Sequence, residues 1–182
     1  MSGGNPQIWL ISGNSEAGKT SFCRKAIAKA MEMGCSVAGV LSPAVFEDGG
    51  KIGIDVQDAG SGQARRLANL QKDDPNSITP HWKFDQDALH WGSGVLAASI
   101  PCDVLVVDEL GPLELEHDQG WIEGIRAIDS RQYRLALVVV RSALLSNALA
   151  RWPGARVHTI ARTDAAVTAD RGIDDILQYL SN

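Results

Sequence analysis

The sequence lacks any hydrophobic run long enough to cross a membrane. Its longest apolar runs are residues 104–107 and 135–140, whereas a membrane-spanning helix needs about 20 apolar residues. Residues 1–6 are small and polar, and they have neither the basic nor the apolar region of a secretory signal peptide. From these absences we expect a soluble, cytoplasmic protein without a membrane partner.

Cysteine is scarce and carries no metal or disulfide signature. Cys23, Cys35 and Cys102 form no CxxC pair and stand at no metal-ligand spacing from the histidines. We therefore expect buried free thiols in a reducing compartment. An excess of positive charge is also absent, since the net charge is −5. That balance gives no overall attraction to nucleic acid or to anionic membranes.

Repeats, low-complexity blocks and Pro/Gly/Ser-rich linkers are absent as well, which predicts one domain over residues 1–182. Apolar stretches typical of buried strands alternate with helical patterns. The predicted strands are 7–12, 37–41, 102–107, 135–140 and 157–160, and the second is expected beside the first. The predicted helices are 19–34, 85–99, 120–129, 143–150 and 168–180. This alternation predicts an α/β fold with a parallel sheet covered on both faces.

Two segments interrupt that alternation. Residues 48–51 have the composition of a tight turn, and they predict a β-hairpin that joins 45–47 to 52–56. Residues 57–80 are polar and turn-rich, and their pattern gives no assignment. Arg65 and Arg66 in this segment are either part of a lid or, as the favoured interpretation, a solvated pair.

A glycine-rich loop separates the first predicted strand from the first predicted helix. Such a loop turns backbone N–H groups and a helix N-terminus towards phosphate oxygens. Lys19 is expected to reach the β- and γ-phosphates, Thr20 to ligate Mg²⁺, and Ser21 to lie near the α-phosphate. The sequence therefore predicts binding of a nucleoside triphosphate. The residues that fit G-x-x-x-x-G-K-[ST] are Gly13, Asn14, Ser15, Glu16, Ala17, Gly18, Lys19 and Thr20.

Glu16 is an unusual residue for the interior of such a loop. A desolvated carboxylate that faced the phosphates would be repelled by them. Only the backbone of this position is required for phosphate binding. Two interpretations stay open for the Glu16 side chain: it points outward to solvent, or it pairs with a basic side chain.

The pair Asp108-Glu109 directly follows the apolar residues 104–107. In a P-loop site an acid at the end of such a strand steadies Mg²⁺, and the next carboxylate can act as general base for an attacking water. The alternative is that the pair caps a strand at the protein surface. Combined with the upstream loop, the pair indicates hydrolysis, with Lys19 and Glu109 as catalytic residues and Thr20 and Asp108 at the metal.

The loop and the acidic pair together are typical of the additional-strand, catalytic-glutamate division of P-loop proteins. In that arrangement another strand separates the two elements, and residues 135–140 are the natural candidate. Arg141 at the end of this strand would then sense the γ-phosphate, or it is a solvated side chain at a strand end. Residues 162–163 follow the fifth predicted strand, where many P-loop folds contact the base.

The sequence resembles the family of small nucleoside-triphosphatases typified by the thermophile enzymes and the human cancer-related nucleoside-triphosphatase. The likeness covers about residues 7–142 and rests on three blocks, which are residues 13–21, residues 39–43 with 49–56, and residues 108–115. It implies a three-layer RecA-like P-loop domain with a β-hairpin insertion. It also implies Mg²⁺-dependent hydrolysis of several nucleoside triphosphates, with Lys19 and Thr20 at the phosphates and metal and Glu109 activating water.

Three departures from the family pattern mark the sequence as a diverged branch. The loop interior is Ser-Glu-Ala at 15–17, Ser42-Pro43 replaces a threonine and an acid, and Ile54 replaces the usual phenylalanine. Two other functions therefore stay open. One is a P-loop small-molecule kinase, which needs a second substrate pocket and a lid with several arginines. The other is a nucleotide-dependent switch or accessory protein with slow hydrolysis.

Overall fold

The computed structural model of the chain describes residues 5–71, 81–161 and 166–181, and of residues 166–170 only the backbone. The strands in these residues are β1 (Gln7–Gly13), β2 (Val37–Leu41), β3 (Ala44–Glu47), β4 (Gly50–Asp58), β5 (Ala64–Leu70), β6 (Trp82–Phe84), β7 (Val104–Leu110), β8 (Leu135–Arg141) and β9 (Arg156–Thr159). The helices are α1 (Lys19–Glu32), α2 (Gln86–Ala97), α3 (Pro112–Glu116), α4 (Ile122–Ser130), α5 (Leu145–Arg151) and α6 (Ala166–Leu177). Short 3₁₀ turns occur at Ser142–Leu144 and Gln178–Leu180.

The strands of the described residues form one sheet in the order β6-β5-β4-β2-β7-β8-β1-β9, and β3 pairs with β4 off this path. The five strands from β2 to β9 in that order are parallel. The strands β3, β4, β5 and β6 are joined by antiparallel pairs, and β4 also runs antiparallel to β2. The predicted α/β fold with a mainly parallel sheet and a β-hairpin is confirmed.

One predicted neighbour in this sheet is wrong. We expected β2 beside β1, but β7 and β8 lie between them. Each strand has only two edges, and those of β1 are hydrogen-bonded to β8 and to β9. By contrast, the predicted insertion of β8 between β1 and β7 is confirmed.

Helices cover both faces of the parallel part of the sheet. Successive side chains of a strand point to opposite faces, so Val104 and Val106 of β7 pack on the side of α1 and α6. Leu105 and Val107 of the same strand pack on the other side, where α2, α4 and α5 lie. The result is a three-layer molecule with an apolar core on each side of the sheet.

Most predicted elements are confirmed, with boundaries that differ by a few residues and with three additions. The structure adds α3, β5 and β6, and it extends β7 through Asp108 and Glu109 to Leu110. The predicted end of this strand at residue 107 is wrong because Leu110 still pairs with Val140, after a shift in register. The peptide bond between Asp108 and Glu109 is cis.

Within the described ranges, none of the helices has the length and hydropathy needed to cross a membrane.

Candidate active site

The glycine loop joins the end of β1 to the start of α1. Gly18 caps the helix with φ at 97°, a conformation that costs little without a Cβ atom. Gly13 lies close to the residue that follows β9, and a Cβ atom at Gly13 would be 2.6 Å from the Ile160 carbonyl oxygen. The Ala17 N–H donates to the Asn14 carbonyl at 3.2 Å. The first N–H groups of α1 have no partner within the helix, so this end can bind an anion.

Lys19 is the first residue of α1, and its side chain is only 6% exposed. Its ammonium group donates to the carbonyl oxygens of Gly13 at 3.0 Å and Asn14 at 2.9 Å. The same nitrogen lies 3.7 Å from Glu109 Oε2. A buried charge is stable only when it is paired or hydrogen-bonded. These three contacts therefore hold the Lys19 ammonium at the centre of the loop.

Asp108 is a buried acid, with 1% of its surface exposed. The Ser42 N–H donates to its Oδ2 atom at 3.1 Å, and the Thr20 hydroxyl also donates to this carboxylate. Burial raises the pKa of Asp108 to about 6, although these hydrogen bonds lower the pKa, and the charge of Glu109 raises it further. A buried acid with a shifted pKa in this position is a candidate functional group.

Glu109 lies between two cations. Arg141 Nε lies 2.5 Å from its Oε1 atom, and Lys19 Nζ lies 3.7 Å from its Oε2 atom. Arg141 is at the end of β8, directly opposite Gly13 in the register with β1. The insertion of β8 between β1 and β7 therefore places this arginine between the glycine loop and the acidic pair.

The predicted site residues come together at the carboxyl ends of the parallel strands. Lys19, Thr20, Asp108, Glu109 and Arg141 are linked by the contacts given above. The side chains of Asn14, Ser15, Glu16 and Ser21 are exposed. Such exposure agrees with a loop that binds through its backbone. Glu16 is exposed, as the first of its two interpretations expects, and its φ is 61°.

Three contacts in this region involve residues that were not predicted from the sequence to belong to the site. The Ser142 hydroxyl donates to Asn14 Oδ1 at 3.2 Å and so joins the end of β8 to the glycine loop. Ser42 contributes its N–H to Asp108, and its hydroxyl donates to the Asp108 carbonyl. The signal for Ser42 was its place in the block at 39–43, where the family has a threonine. Ser142 carried no signal beyond its position after Arg141.

Lys51 was also missed as a site residue, although the hairpin block contains it. Burial lowers the pKa of Lys51, while the charges of Glu109 and Glu16 raise it and those of Arg141 and Lys19 lower it. The Lys51 side chain is half-buried, and its ammonium lies 4.8 Å from the centre of the Trp82 ring. The hairpin thus brings a further cation into the electrostatic environment of the site.

Glu114 in α3 is a buried carboxylate that supports the segment after Glu109. Its Oε2 atom accepts from the Gly111 N–H at 2.8 Å, and its Oε1 atom accepts from the Trp121 N–H at 2.9 Å. Burial raises the pKa of Glu114, and these backbone hydrogen bonds lower it. The sequence signal was its place in the block at 108–115, which gave no indication of a structural role.

The two arginines considered for a lid do not contact the site. The Arg65 guanidinium lies 4.7 Å from the centre of the Trp91 ring. Arg66 Nε lies 2.7 Å from Asp55 Oδ1, and Arg66 also donates to Asn69 Oδ1 at 2.9 Å. Both are exposed residues of β5, so the favoured interpretation as a solvated pair is confirmed, and each arginine also has a partner on the protein surface. The expected base contact at 162–163 lies outside the described residues.

Comparison with known proteins identifies the family. The chain matches the NTPase family over residues 8–168. It is 24% identical over 171 residues to the nucleoside-triphosphatase THEP1 of Caldivirga maquilingensis, covering 94% of this chain and 93% of the relative. Its fold matches a human cancer-related nucleoside triphosphatase, with a TM-score of 0.71 and 21% identity over 96% of this chain and 97% of that one.

A second solved structure has the same architecture. THEP1 from the hyperthermophile Aquifex aeolicus matches with a TM-score of 0.69 and 15% identity, covering 97% of this chain and all of the other. These two likenesses confirm the predicted P-loop fold class. Because the family match extends over most of the sequence, the chain belongs to the NTPase family, as the resemblance of its motifs implied.

Proposed function

We propose that this protein hydrolyses nucleoside triphosphates to diphosphate and phosphate with the help of Mg²⁺. The observation that carries the proposal is the position of Glu109, whose carboxylate lies 3.7 Å from Lys19 Nζ in the glycine loop. The preceding residue, Asp108, accepts a hydrogen bond from Thr20 of the same loop. The lysine of the glycine loop, the hydroxyl and carboxylate oxygens of Thr20 and Asp108, and a second carboxylate, that of Glu109, thus lie at one end of the sheet.

Phosphate binding falls to the loop backbone and to Lys19. The N–H groups at the start of α1 and the partial positive charge of that helix end attract the polyanion. The Lys19 ammonium is held by the carbonyls of Gly13 and Asn14, so little side-chain freedom remains to be lost when the β- and γ-phosphates bind. We expect the phosphates to replace Glu109 as the anionic partner of Lys19.

The metal role falls to Thr20 and Asp108, which supply hydroxyl and carboxylate oxygens. Mg²⁺ prefers oxygen ligands, and it commonly takes one or two from the protein and the rest from water and substrate phosphates. The described residues contain no group of three or more His, Cys, Asp or Glu side chains that could hold a metal alone. This donor set therefore fits Mg²⁺ bound together with a nucleotide. When bound, Mg²⁺ neutralises charge on the β- and γ-phosphates.

Glu109 acts as the general base in this proposal. Its carboxylate orients a water molecule and accepts a proton from it as the water oxygen bonds to the γ-phosphorus. The bond from that phosphorus to the bridging oxygen breaks, and the diphosphate leaves with the electron pair. Arg141 positions the carboxylate through the Nε contact of 2.5 Å. Its proposed role as a γ-phosphate sensor follows from its place beside the loop.

The kinase alternative is weakened by the contacts of Arg65 and Arg66. Both arginines are engaged away from the glycine loop, with Trp91 and with Asp55. A kinase lid needs several arginines that close over the transferred phosphate. The switch alternative predicts slow release of phosphate and a protein partner whose binding depends on the nucleotide. The cytoplasmic location expected from the sequence stays a prediction.

The test is a phosphate-release panel over ATP, GTP, CTP and UTP with wild type, Lys19→Ala and Glu109→Gln. We expect Mg²⁺-dependent release by wild type and a fall in kcat by about 10²- to 10⁴-fold in Glu109→Gln, as for loss of a general base. Triphosphate binding should be kept in Glu109→Gln and weakened in Lys19→Ala. Unchanged turnover in Glu109→Gln would overturn the general-base role of Glu109, and no phosphate release by wild type would overturn the hydrolase function. Phosphorylation of an added acceptor without free phosphate would favour the kinase.

A further inference from the structure

The first half of β4 carries the hairpin beyond the end of the parallel sheet. The last residue of β2, Leu41, pairs with Gln57 of β4. Lys51 lies six positions earlier in the same strand, which is roughly 20 Å at the rise of an antiparallel strand. Because β1 and β2 are parallel, the glycine loop after β1 lies at the edge of the sheet where β2 ends. Because β4 runs antiparallel to β2, it begins at this same edge. The hairpin therefore projects over the side on which a triphosphate would bind.

The hairpin begins beside the acidic pair, because the N–H of Ser42, two residues before β3, donates to Asp108 Oδ2 at 3.1 Å. The charges of Glu109, Glu16, Arg141 and Lys19 also act on the pKa of Lys51, which agrees with this placement. The pKa of Lys51 thus depends on both the general-base candidate, Glu109, and the exposed residue Glu16 of the glycine loop.

The Lys51 ammonium lies against an aromatic ring and, within the described residues, forms no ion pair with a carboxylate. Its ammonium lies 4.8 Å from the centre of the Trp82 ring, on β6. A cation over an aromatic face is held weakly when the site is partly exposed. None of the carboxylates in the described ranges forms an ion pair with it, although Glu16 and Glu109 are near enough to raise its pKa. The side chain is therefore available to an anion of higher charge.

This placement also accounts for Glu16. The acid lies on the exposed crown of the loop, where it would repel a polyanion if it were alone. Its charge instead favours the protonated form of Lys51, against the burial that lowers the pKa of that residue. The charge of Glu16 therefore partly offsets the effect of burial on the pKa of Lys51. The charges of Glu16 and Lys51 are opposite, so together they add little net charge to the site. We therefore assign phosphate binding to the Lys51 ammonium and to the backbone of the glycine loop.

We propose that Lys51 is a catalytic residue that moves from the Trp82 ring to the terminal phosphate of the bound triphosphate. The inference rests on the proposed hydrolase function and adds a residue to it. In this position the ammonium contacts the oxygens of the transferring phosphoryl group from the open side, while Lys19 contacts them from the loop. It stabilises negative charge that develops in the transition state, as an arginine finger does in related phosphoryl transfers.

The test compares Lys51→Gln with Lys51→Arg and with Lys83→Gln. Lys83 is an exposed lysine of β6, next to Trp82, so its variant removes the same charge from the same part of the sheet. Phosphate release is measured under saturating triphosphate and Mg²⁺. We expect kcat to fall by about 10²-fold or more in Lys51→Gln, towards the effect of losing an arginine finger. Lys51→Arg should recover most of the rate, and Lys83→Gln should match wild type.

A binding measurement separates contact with the terminal phosphate from a structural effect. Calorimetry with ADP, alone and with aluminium fluoride as a mimic of the transferring phosphoryl group, is run on each folded variant. We expect Lys51→Gln to bind ADP within about twofold of wild type and to lose most of the added affinity that fluoride confers. Equal fluoride enhancement in Lys51→Gln and wild type would overturn the proposal.

The failure of Lys51 as a catalytic residue is distinguishable from the failure of the proposed function. If wild type hydrolyses triphosphates and Lys51→Gln does so at the same rate, only the role of Lys51 is overturned. If wild type releases no phosphate from any triphosphate, the hydrolase function itself is overturned. A parallel loss of ADP binding and of the thermal unfolding transition in Lys51→Gln, with neither lost in Lys51→Arg, would make Lys51 a structural residue and contradict the proposal.

Discussion

Arg141 Nε lies 2.5 Å from Glu109 Oε1, while the other oxygen of that carboxylate lies 3.7 Å from Lys19 Nζ. The shorter contact is the one to the arginine. Glu109 is therefore bound more closely to Arg141 of β8 than to the ammonium that the phosphates need. Because Arg141 is 58% exposed, this contact is partly screened by solvent, and a bound triphosphate can compete for either cation.

The substitution Arg141→Gln should lower turnover and weaken triphosphate binding together. Without the arginine, the Glu109 carboxylate is expected to close on Lys19 and to compete with the phosphates. Hydrogen bonds to charged groups contribute about 1.5–3 kcal/mol, which corresponds to a loss of about 10- to 100-fold in kcat/KM. Steady-state phosphate release measures this change. Arg141→Lys should recover little, since a lysine lacks the planar donor geometry.

Arg126→Gln is the matched control for that loss. Arg126 pairs with Glu123 on the exposed face of α4, and α4 packs on the sheet away from the glycine loop. Its removal should leave kcat/KM within about twofold of wild type, because exposed ion pairs contribute little. An Arg141→Gln variant with faster turnover than wild type would contradict the positioning role and would make the contact to Glu109 an inhibitory one.

Asp108→Asn should stabilise the protein when no metal is bound. The pKa of Asp108 is raised from 3.8 to about 6 by burial. Below pH 3.8 the acid is protonated in both the folded and the unfolded state, so it costs nothing. As the pH rises, the unfolded state loses the proton first and stability falls, until the cost is complete above about pH 6. Two pKa units correspond to about 3 kcal/mol.

Asparagine has no proton to lose in this range, and its oxygen can accept from Thr20 and from the Ser42 N–H. Urea unfolding in EDTA at about pH 4 and about pH 7.5 measures the difference. We expect the two proteins to be similar at the lower pH and the variant to be more stable at the higher pH. Added Mg²⁺ and nucleotide should then stabilise wild type but not Asp108→Asn. An equal difference at both pH values would rule out the ionisation of Asp108 as the cause.

Glu114→Gln should destabilise the segment that follows Glu109. The carboxylate accepts from two backbone N–H groups, those of Gly111 and Trp121, through different oxygens. A glutamine has one acceptor oxygen and would turn its NH₂ group towards the second N–H. An unsatisfied buried donor costs about 1–3 kcal/mol, so the free energy of unfolding should fall by that amount in urea titrations. Glu116→Gln, an exposed neighbour in α3, should change it by less than about 0.5 kcal/mol.

Much of the site could be predicted from the sequence because its chemistry is local. A phosphate loop needs a strand, two glycines, a lysine and a helix in continuous order, and residues 7–34 supply them. The pair Asp108-Glu109 follows a run of apolar residues in the same way. The buried run at 135–140 could be placed between these elements because the division of P-loop proteins to which they point has a strand there.

The remaining features depend on contacts between distant segments. The neighbours of β2 are set by which strand edges stay free, and the order along the chain does not contain that information. The strand β5 was missed because only Leu67 and Ala68 of its residues are buried, so it has no apolar alternation. The proposed approach of Lys51 to the site follows from the register of β4 on β2. That register is not visible in the local sequence.

Gly92 and Gly94 illustrate the same limit within one helix. Both lie inside α2, and from the sequence alone the same cost is expected for each, about 1 kcal/mol relative to alanine in a helix interior. The structure separates them. A Cβ atom at Gly92 would lie 2.5 Å from the Trp121 ring, whereas one at Gly94 would meet nothing within 4 Å. Gly92 therefore allows α2 to pack closely against Trp121, and Gly94 has no such reason in its contacts.

We expect alanine at these two positions to change stability in opposite directions. Gly94→Ala should raise the free energy of unfolding by about 0.5–1 kcal/mol, through helix propensity alone. Gly92→Ala should lower it by about 1–3 kcal/mol, because the methyl group must displace a tryptophan that is only 4% exposed. Urea unfolding of the two variants measures both effects, and each serves as the control for the other. Stabilisation by both substitutions would contradict the close packing of Trp121 on α2, since propensity would then outweigh the steric term at Gly92 as well.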